Sequence, residues 1–297
     1  LAMPGENVLI FSPDYNCFFS SIRNSGCVAL ETALLRRGDS FEVDWADFEQ
    51  KCADEKTTVF LLCNPHNPTG RVWTREELER MNDICLQHDV KVVSDEIHCE
   101  LIMPGHRFQP FAAVSEACRQ NSVVLNSPSK SFNIAGLQAA NIVCTQPEWR
   151  RRLHRAININ EVCDLNPFGP VALIAAYNES EDWIDALCQY LWENYLAMTQ
   201  FIGEHLPQCI VSDLEGTYLP WIDVRAMLPR RVAVGTGETV IDNVQQLCDY
   251  IMSQAHVWVN PGTMYGPQTG EGHIRLNIAC PRRQMMEALT RMAKLFT

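Results

Sequence analysis

Along the first half of the chain, segments with helical periodicity alternate with short apolar runs. Residues 74–88 carry an apolar residue at every third or fourth position, and Thr74 with Glu77 can form a capping box in front of them, which predicts an amphipathic helix. Short runs that are almost wholly apolar predict strands over residues 8–13, 57–63, 90–96, 122–126 and 140–144. Strands that alternate with helices predict an α/β fold, with a mostly parallel, doubly wound sheet and ligands at the strand ends.

After Arg150 the pattern changes. Its periodicity predicts helices over residues 170–177, 182–205, 240–253 and 283–296, and strands over residues 217–224, 257–259 and 273–278. We therefore expect a large domain over residues 1–178 and a smaller C-terminal α+β domain over residues 179–297.

Charge and cysteine usage narrow the classes of partner. The chain has 297 residues and a formal net charge of −12 at pH 7, which argues against binding nucleic acid or an anionic membrane surface. No apolar run approaches the length of a membrane span, and the chain opens without a signal-peptide pattern. The 13 cysteines lack the spacing of a metal site, so we expect no metal and reduced thiols in a cytoplasmic protein.

The segment that carries most chemistry is SVVLNSPSKSFNIAGLQA, residues 122–139. Within it, Lys130 follows a β-branched strand and a polar turn, and few charges lie nearby. Because a cationic lysine is costly to bury, a lysine at a buried strand end is available as an amine nucleophile, which is the chemistry of a Schiff-base lysine. The alternative is a solvated surface lysine, the usual state of this residue.

A second segment, CNPHNPTG at residues 63–70, follows a buried strand and precedes the capped helix. Two prolines and a glycine stiffen it, and Asn64 and Asn67 offer amide donors at a strand end. The two Asn-Pro pairs favour a preorganised binding loop over a purely structural turn.

A third segment ends the strand at residues 90–96. Asp95 and Glu96 lie where a mostly apolar sheet should partly desolvate them, so a carboxylate there needs a cationic partner. His98 could hydrogen-bond the same ligand. Taken alone, an acidic helix N-cap would explain this segment equally well.

Together the three segments match the needs of one cofactor, pyridoxal phosphate. This heterocycle requires a lysine for its aldehyde, a carboxylate for its protonated ring nitrogen, a donor to its phenolic oxygen, and hydroxyls or amides around its phosphate. Lys130, Asp95, Asn67 and the pair Ser127 and Ser129 can fill those roles in turn.

The order and spacing of NPHNPTG, SDEIH, SPSKSFN and HIRLN resemble the fold-type I pyridoxal-phosphate enzymes, the aspartate aminotransferase superfamily of class I/II. The resemblance covers nearly all of the chain. It implies that Lys130 binds the cofactor covalently, that Asp95 pairs with the ring nitrogen, and that Asn67 hydrogen-bonds O3′. It further implies that Ser127 and Ser129 contact the phosphate and that Tyr15 stacks on the ring. Arg275 would hold the substrate α-carboxylate, and His98 stands at a cofactor position where many aminotransferases have tyrosine.

Within the superfamily the chain is most similar to the MalY/PatB group of cystathionine β-lyases. The shared marks are His98, SKSFNIAGLQ, GTYLPWIDVR at residues 216–225 and RLNIACPR at residues 275–282. This resemblance implies a homodimeric carbon–sulfur lyase that converts cystathionine or a cysteine S-conjugate to pyruvate, ammonia and a thiol. The alternatives are an aminotransferase and a catalytically impaired, truncated homologue with a binding or regulatory role.

Two departures from the family pattern bear on activity. Family members carry a segment before the point that matches LAMPGENV, and that segment supplies a phosphate-binding loop and a tyrosine for the neighbouring subunit. Gln138 stands where aspartate aminotransferases carry a phosphate-binding arginine. We therefore expect weakened or absent activity in this N-terminally shortened chain.

Overall fold

The apolar runs of the first half pair into one sheet in the computed structural model, which describes residues 1–161, 164–234 and 237–296. This sheet has the strand order β2-β1-β5-β6-β7-β8. Its strands are β1 (Asn7–Ser12), β2 (Val28–Ala33), β5 (Thr57–Cys63), β6 (Lys91–Asp95), β7 (Ser122–Asn126) and β8 (Asn141–Cys144), and between β2 and β5 lies a hairpin of β3 (Leu35–Arg37) and β4 (Ser40–Glu42). All neighbours pair in parallel except β7 and the edge strand β8, which are antiparallel.

Helices cover both faces of this sheet and continue into the second half. They are α1 (Asn16–Asn24), α2 (Trp45–Cys52), α3 (Arg75–Gln87), α4 (Glu116–Gln120), α5 (Pro147–Asn158), α6 (Phe168–Glu179), α7 (Glu181–His205), α8 (Val244–Ala255) and α9 (Arg282–Ala293). Thr74 and Glu77 form the expected capping box at the start of α3. The predicted α/β fold with a mostly parallel sheet is therefore confirmed.

The central strands are apolar on both sides because each side packs against helices. On one face, Phe11 and Phe60 pack edge to face, with ring centroids 5.2 Å apart, in a cluster that reaches Leu78 of α3. On the other face, Ile10 belongs to a cluster with Phe18 of α1. Since both faces are covered, this sheet can offer polar groups to a ligand at the carboxyl ends of its parallel strands.

The second half builds a four-stranded sheet in the order β13-β14-β10-β9. Its strands are β9 (Ile210–Val211), β10 (Trp221–Asp223), β13 (Asn260–Pro261) and β14 (His273–Arg275), and a separate hairpin joins β11 (Arg230–Val234) to β12 (Gly237–Ile241). Residues of α7, α8 and α9 share one apolar cluster with this sheet. The domain boundary at residue 178, near the end of α6, stays a prediction.

Several elements differ from their predicted bounds. The helix predicted from residue 240 begins at Val244, because the Asn243 side chain accepts the Gln246 N–H and caps it there, while Val240 lies in β12. The strand predicted over 217–224 shortens to β10, since Thr217 has φ +70° and Pro220 cannot donate a ladder hydrogen bond. No strand forms over 257–259, and β13 begins at Asn260 instead.

Each helix within the described part of the chain is too short or too polar to cross a membrane.

Candidate active site

The carboxyl ends of β1, β5, β6 and β7 open into a cavity of about 440 Å³. Parallel pairing aligns these ends, and Cys63 at the end of β5 lies opposite Asp95 at the end of β6. Residues from the second half, beginning with Arg275 of β14, close the other side. The cavity brings together most of the site residues predicted from the sequence: Tyr15, Asn67, Asp95, His98, Ser129, Lys130 and Arg275.

Asp95 contributes a carboxylate that lacks a cation. Its Oδ1 accepts the Ile97 N–H at 3.1 Å, and among the described residues no basic side chain lies within ion-pair distance. Burial raises the pKa of the Asp95 carboxyl to about 6, against the opposing effects of the Ile97 N–H and the Lys130 cation. Asp95 is therefore ionised at neutral pH and would gain from a cationic ligand.

Glu96, the neighbouring acid, has a structural role. Its Oε1 accepts the Ser94 hydroxyl at 3.0 Å and the Phe111 N–H at 2.8 Å. Burial raises the pKa of this carboxyl to about 7, and these hydrogen bonds oppose the rise. Glu96 does not line the cavity, so of the two adjacent acids only Asp95 reaches the site.

His98 presents a neutral imidazole. Its side chain is buried and packs edge to face on Tyr218, with ring centroids 5.6 Å apart. Burial lowers the pKa of His98 to about 3, and the Lys130 and Arg275 cations add to the effect. The buried Nδ1 has no hydrogen-bond partner in the described part of the chain, which leaves it for a ligand.

Lys130 is half-buried in the turn that follows β7. This turn is held by backbone hydrogen bonds, including Phe132 N–H to Pro128 C=O at 2.9 Å. Within the described residues the Lys130 ammonium makes neither an ion pair nor a hydrogen bond. The amine is thus held at the cavity wall without being engaged by another side chain.

The serines of the same turn divide their roles. Ser127 is buried, donates its hydroxyl to Ala139 C=O at 2.6 Å and accepts the Ser129 N–H at 3.1 Å, so it shapes the turn. Ser129 lines the cavity and Ser127 does not. Gln138 is exposed and also lies outside the cavity wall. The structure therefore offers one of these three side chains to a phosphate directly.

Arg275 crosses from the second half of the chain to the loop after β5. Its Nη1 donates to Asn67 Oδ1 at 2.9 Å, and its guanidinium carbon lies 4.5 Å from the ring centroid of Tyr265. Burial lowers the pKa of Arg275 from its ordinary value, and none of the described residues hydrogen-bonds its buried Nε. A planar cation with unused donors suits a carboxylate ligand.

The two asparagines of the 63–70 loop also divide their roles. Asn64 donates to Gln109 C=O at 3.2 Å and accepts the Trp73 N–H at 3.3 Å, which ties the loop to its surroundings. Asn67 accepts from Arg275 through Oδ1, so its amide N–H groups are the part left for a ligand. The predicted binding loop thus contributes Asn67 to the cavity and not Asn64.

Aromatic and amide side chains from distant segments complete the wall. Tyr15, predicted from the sequence, lines it and packs edge to face on Phe18. Asn260 and Tyr265 also line it, with Asn260 Nδ2 donating to the Tyr265 hydroxyl at 3.0 Å. Residues 217–224 and the NPGTMYG segment, residues 260–266, were the available signals for this part of the wall.

Comparison with known proteins identifies relatives along nearly the whole chain. Cystathionine beta-lyase PatB of Bacillus subtilis (strain 168) is 35% identical over 289 residues, which cover 97% of this chain and 71% of that protein. Protein MalY of Escherichia coli (strain K12) is 32% identical over 282 residues, covering 95% and 68%. The crystal structure of cystalysin from Treponema denticola, which contains pyridoxal 5′-phosphate, matches with a TM-score of 0.92 at 30% identity, covering 99% of this chain and 71% of that one.

These similarities agree with the order of the motifs along the chain. The family model for aminotransferase class I and II matches residues 1–292. This chain therefore belongs to the class I and II aminotransferase family.

Proposed function

We propose that this protein is a pyridoxal 5′-phosphate-dependent carbon–sulfur β-lyase, which converts cystathionine or another cysteine S-conjugate to pyruvate, ammonia and a thiol. The observation that carries the proposal is one cavity that brings together three charged groups. Among the described residues, its amine makes no ion pair or hydrogen bond, its carboxylate has no cation and its guanidinium has no carboxylate. Two relatives support elimination over amino-group transfer, because PatB is named a cystathionine beta-lyase and MalY belongs with it in the group that the motifs resemble.

The donors and acceptors left unused in the cavity fit the cofactor group by group. Lys130 would bind its aldehyde, and Asp95 would pair with the protonated ring nitrogen, giving the carboxylate the cation it lacks. The Asn67 amide would donate to the phenolic oxygen. Ser129 would contact the phosphate while Ser127 holds the turn in place, and Tyr15 would lie against the ring.

His98 fits the same ligand as a neutral group. Since the pKa of His98 lies near 3, its imidazole adds no charge at neutral pH and can offer its free Nδ1 as a hydrogen-bond donor or acceptor, depending on the tautomer. A cation at this position would repel Lys130 and Arg275, and the neutral imidazole avoids that repulsion.

The chain's own residues then supply binding and proton transfer. The bound cofactor withdraws electrons from the substrate Cα and so acidifies its proton. The substrate amine would displace Lys130 from the aldehyde, and the freed Lys130 amine would accept that proton as a general base, while the Arg275 guanidinium would hold the substrate carboxylate. The Cβ–S bond breaks with its electron pair on sulfur, the thiolate takes up a proton, and water converts the three-carbon product to pyruvate and ammonia.

An aminotransferase remains the second candidate, because the family model describes class I and II aminotransferases. Both reactions begin with removal of the Cα proton by the same lysine, so the residues of the cavity serve either outcome. The two reactions differ in their products, which makes the choice experimental.

Covalent trapping tests the cofactor assignment. Borohydride reduction of the protein mixed with pyridoxal 5′-phosphate should fix the cofactor on the peptide that contains Lys130, as read by mass spectrometry. Lys130→Ala should abolish the label, while Lys56→Ala, at an exposed lysine, should leave it intact. A label that persists in Lys130→Ala would refute the assigned role.

Product analysis separates lyase from aminotransferase. With cystathionine as substrate, we expect pyruvate and a free thiol in equal amounts without any added keto acid, and loss of both in Lys130→Ala. Pyruvate can be measured with lactate dehydrogenase and the thiol with a disulfide reagent. A reaction that proceeds only when a keto acid is supplied would overturn the lyase proposal in favour of amino-group transfer.

Asp95→Asn should separate stability from cofactor binding. Because burial raises the pKa of Asp95 from 3.8 to about 6, the cost of its ionisation to folding is absent below about pH 4, grows between about pH 4 and pH 6, and is complete above that range. The difference between these two pKa values corresponds to about 3 kcal/mol. Urea unfolding of the cofactor-free variant should therefore show a gain of about 2–3 kcal/mol at pH 7.5 that vanishes at pH 4.

The same variant should bind pyridoxal 5′-phosphate at least tenfold more weakly at pH 7.5, because the amide cannot neutralise the ring cation. Asp185→Asn, at an exposed position, is the control for both measurements. Unchanged cofactor affinity in Asp95→Asn would contradict its pairing with the ring nitrogen.

We further propose that the protein forms homodimers in the cytoplasm. Helix α6 is apolar, and its Phe168 and Val171 side chains are 72% and 67% exposed, a surface that a second copy could cover. In support of a reducing compartment, the cysteines in the described part of the chain are free thiols, and most of them are buried.

Light scattering after gel filtration tests the dimer. The wild-type chain should have twice its 33.7 kDa mass, and Phe168→Glu should shift the population towards monomer by placing a charge on the covered surface. Leu86→Glu, at an isolated side chain that is 46% exposed, should leave the mass unchanged. A wild-type protein that is monomeric at micromolar concentration would refute the proposal.

A further inference from the structure

A buried acid and a buried histidine lie behind the cavity and have no part in the proposed reaction. Asp14 follows β1, and His66 lies in the loop after β5. Both side chains are fully buried, and Asp14 Oδ1 lies 3.8 Å from His66 Nε2. Neither residue lines the cavity.

Asp14 connects two of the cavity's aromatic walls. Its Oδ1 accepts the Tyr15 N–H at 2.7 Å, and its own N–H donates to Tyr265 C=O at 2.7 Å. Tyr15 is the side chain proposed to lie against the cofactor, and Tyr265 lies beneath the Arg275 guanidinium. One buried residue thus holds the backbone on the cofactor side and on the substrate side.

His66 connects Asp14 to the third wall. Its Nδ1 pairs with Thr69 Oγ1 at 2.7 Å, and the next residue, Asn67, accepts the hydrogen bond from Arg275. The imidazole packs at steep angles on Phe11 and Trp73, with ring centroids 6.3 Å and 5.6 Å away. These contacts leave His66 little freedom to move away from Asp14.

Burying the Asp14 and His66 side chains in the core costs folding free energy. Burial raises the pKa of the Asp14 carboxyl, while His66 and the Tyr15 N–H lower it. Asp14 Oδ2 has no hydrogen-bond partner among residues 1–161, 164–234 and 237–296. The same sheet edge already carries Asp95 and the Cys63 thiol, and a charge on Asp14 raises the pKa of both. Because well-packed apolar residues often replace a buried pair without loss of stability, stability alone does not explain Asp14.

We propose that Asp14 and His66 are a positioning pair, which holds Tyr15, Asn67 and the Tyr265–Arg275 stack in their relative places for cofactor and substrate. The proposal rests on the proposed function for its consequence, although the arrangement itself exists in the cofactor-free protein. The pair acts through its neighbours and touches neither ligand.

The arrangement can be measured without cofactor from the Nε–H resonance of Arg275 in a ¹H–¹⁵N spectrum, assigned by its loss in Arg275→Lys. The guanidinium carbon lies 4.5 Å from the Tyr265 ring centroid, so we expect the ring current of Tyr265 to shift the neighbouring N–H resonance upfield. Asp14→Asn keeps an oxygen that can accept the Tyr15 N–H, and we expect the resonance to stay in place. Asp14→Val lacks that acceptor, so the backbone at residues 14 and 15 loses its side-chain anchor. Because the backbone N–H of residue 14 holds the Tyr265 C=O, Tyr265 should shift with it, and the resonance should move towards the position of a free arginine.

Binding and kinetics should follow the same division. Asp14→Asn should keep the dissociation constant for pyridoxal 5′-phosphate and the KM for cystathionine within about twofold. Asp14→Val should raise both about tenfold or more, with a smaller change in kcat, because binding geometry is lost while Lys130 is untouched. His66→Phe keeps the ring packing on Phe11 and Trp73 but removes both nitrogens, and should resemble Asp14→Val.

The double variant Asp14→Val/His66→Phe separates positioning from stability. We expect it to regain wild-type resistance to urea while its affinities and its Arg275 resonance stay altered. Recovery of affinity in step with stability, or an unmoved resonance in Asp14→Val and His66→Phe, would overturn the proposal. If the wild-type protein bound no cofactor, the proposed function would fail, and the resonance would still decide whether the pair positions Arg275.

Discussion

Parallel pairing of β1, β5, β6 and β7 is the constraint on which the site depends. A parallel sheet returns every strand to the same edge, so residues that follow different strands meet although they lie far apart in the chain. Asp95 ends β6, while Tyr15, Asn67 and Lys130 follow β1, β5 and β7, and all four line one cavity. A slip of one residue would turn Asp95 to the opposite face of the sheet and leave Cys63 without its present neighbour.

The electrostatics of the cavity follow from this geometry. The chain carries a formal net charge of −12, yet the cavity holds two cations, Lys130 and Arg275, and one carboxylate at its wall. Burial keeps His98 neutral. Glu96 accepts hydrogen bonds from the Ser94 hydroxyl and the Phe111 N–H and does not line the cavity. The site is therefore locally positive within an acidic protein, which favours a ligand that carries phosphate and carboxylate groups.

The sequence predicted the elements that depend mainly on interactions between residues close together in the chain. The strand ends, the capped helix α3 and the lysine turn all follow from apolar runs and turn residues, and they fall where predicted. The sequence could not show which of two like residues in one loop reaches the cavity. Asn64 and Asn67 differ in their tertiary partners, and so do Ser127 and Ser129. The sequence also missed Asn260. Its hydrogen bond to Tyr265, five residues later, is local, but its place in the cavity wall depends on how residues 260–266 pack against the first half of the chain. Edge elements such as β2 escaped prediction because their exposed positions break the apolar pattern.

Two carboxyl groups at this sheet edge show how the fold trades stability for function. Burial raises the pKa of Asp95 and of Asp14, so each, when ionised, opposes folding. Asp95 faces the cavity, where a cationic ligand can stabilise its charge. Asp14 faces inward, where the stabilising contacts are with His66 and the Tyr15 N–H. No ligand in the cavity can offset the folding cost of Asp14, so we infer that its contribution is its effect on neighbouring residues. Those neighbours include Tyr15 and Tyr265, which form walls of the site. On the proposals made above, the two acids have complementary roles: Asp95 would contact the ligand, and Asp14 would hold the side chains that surround it.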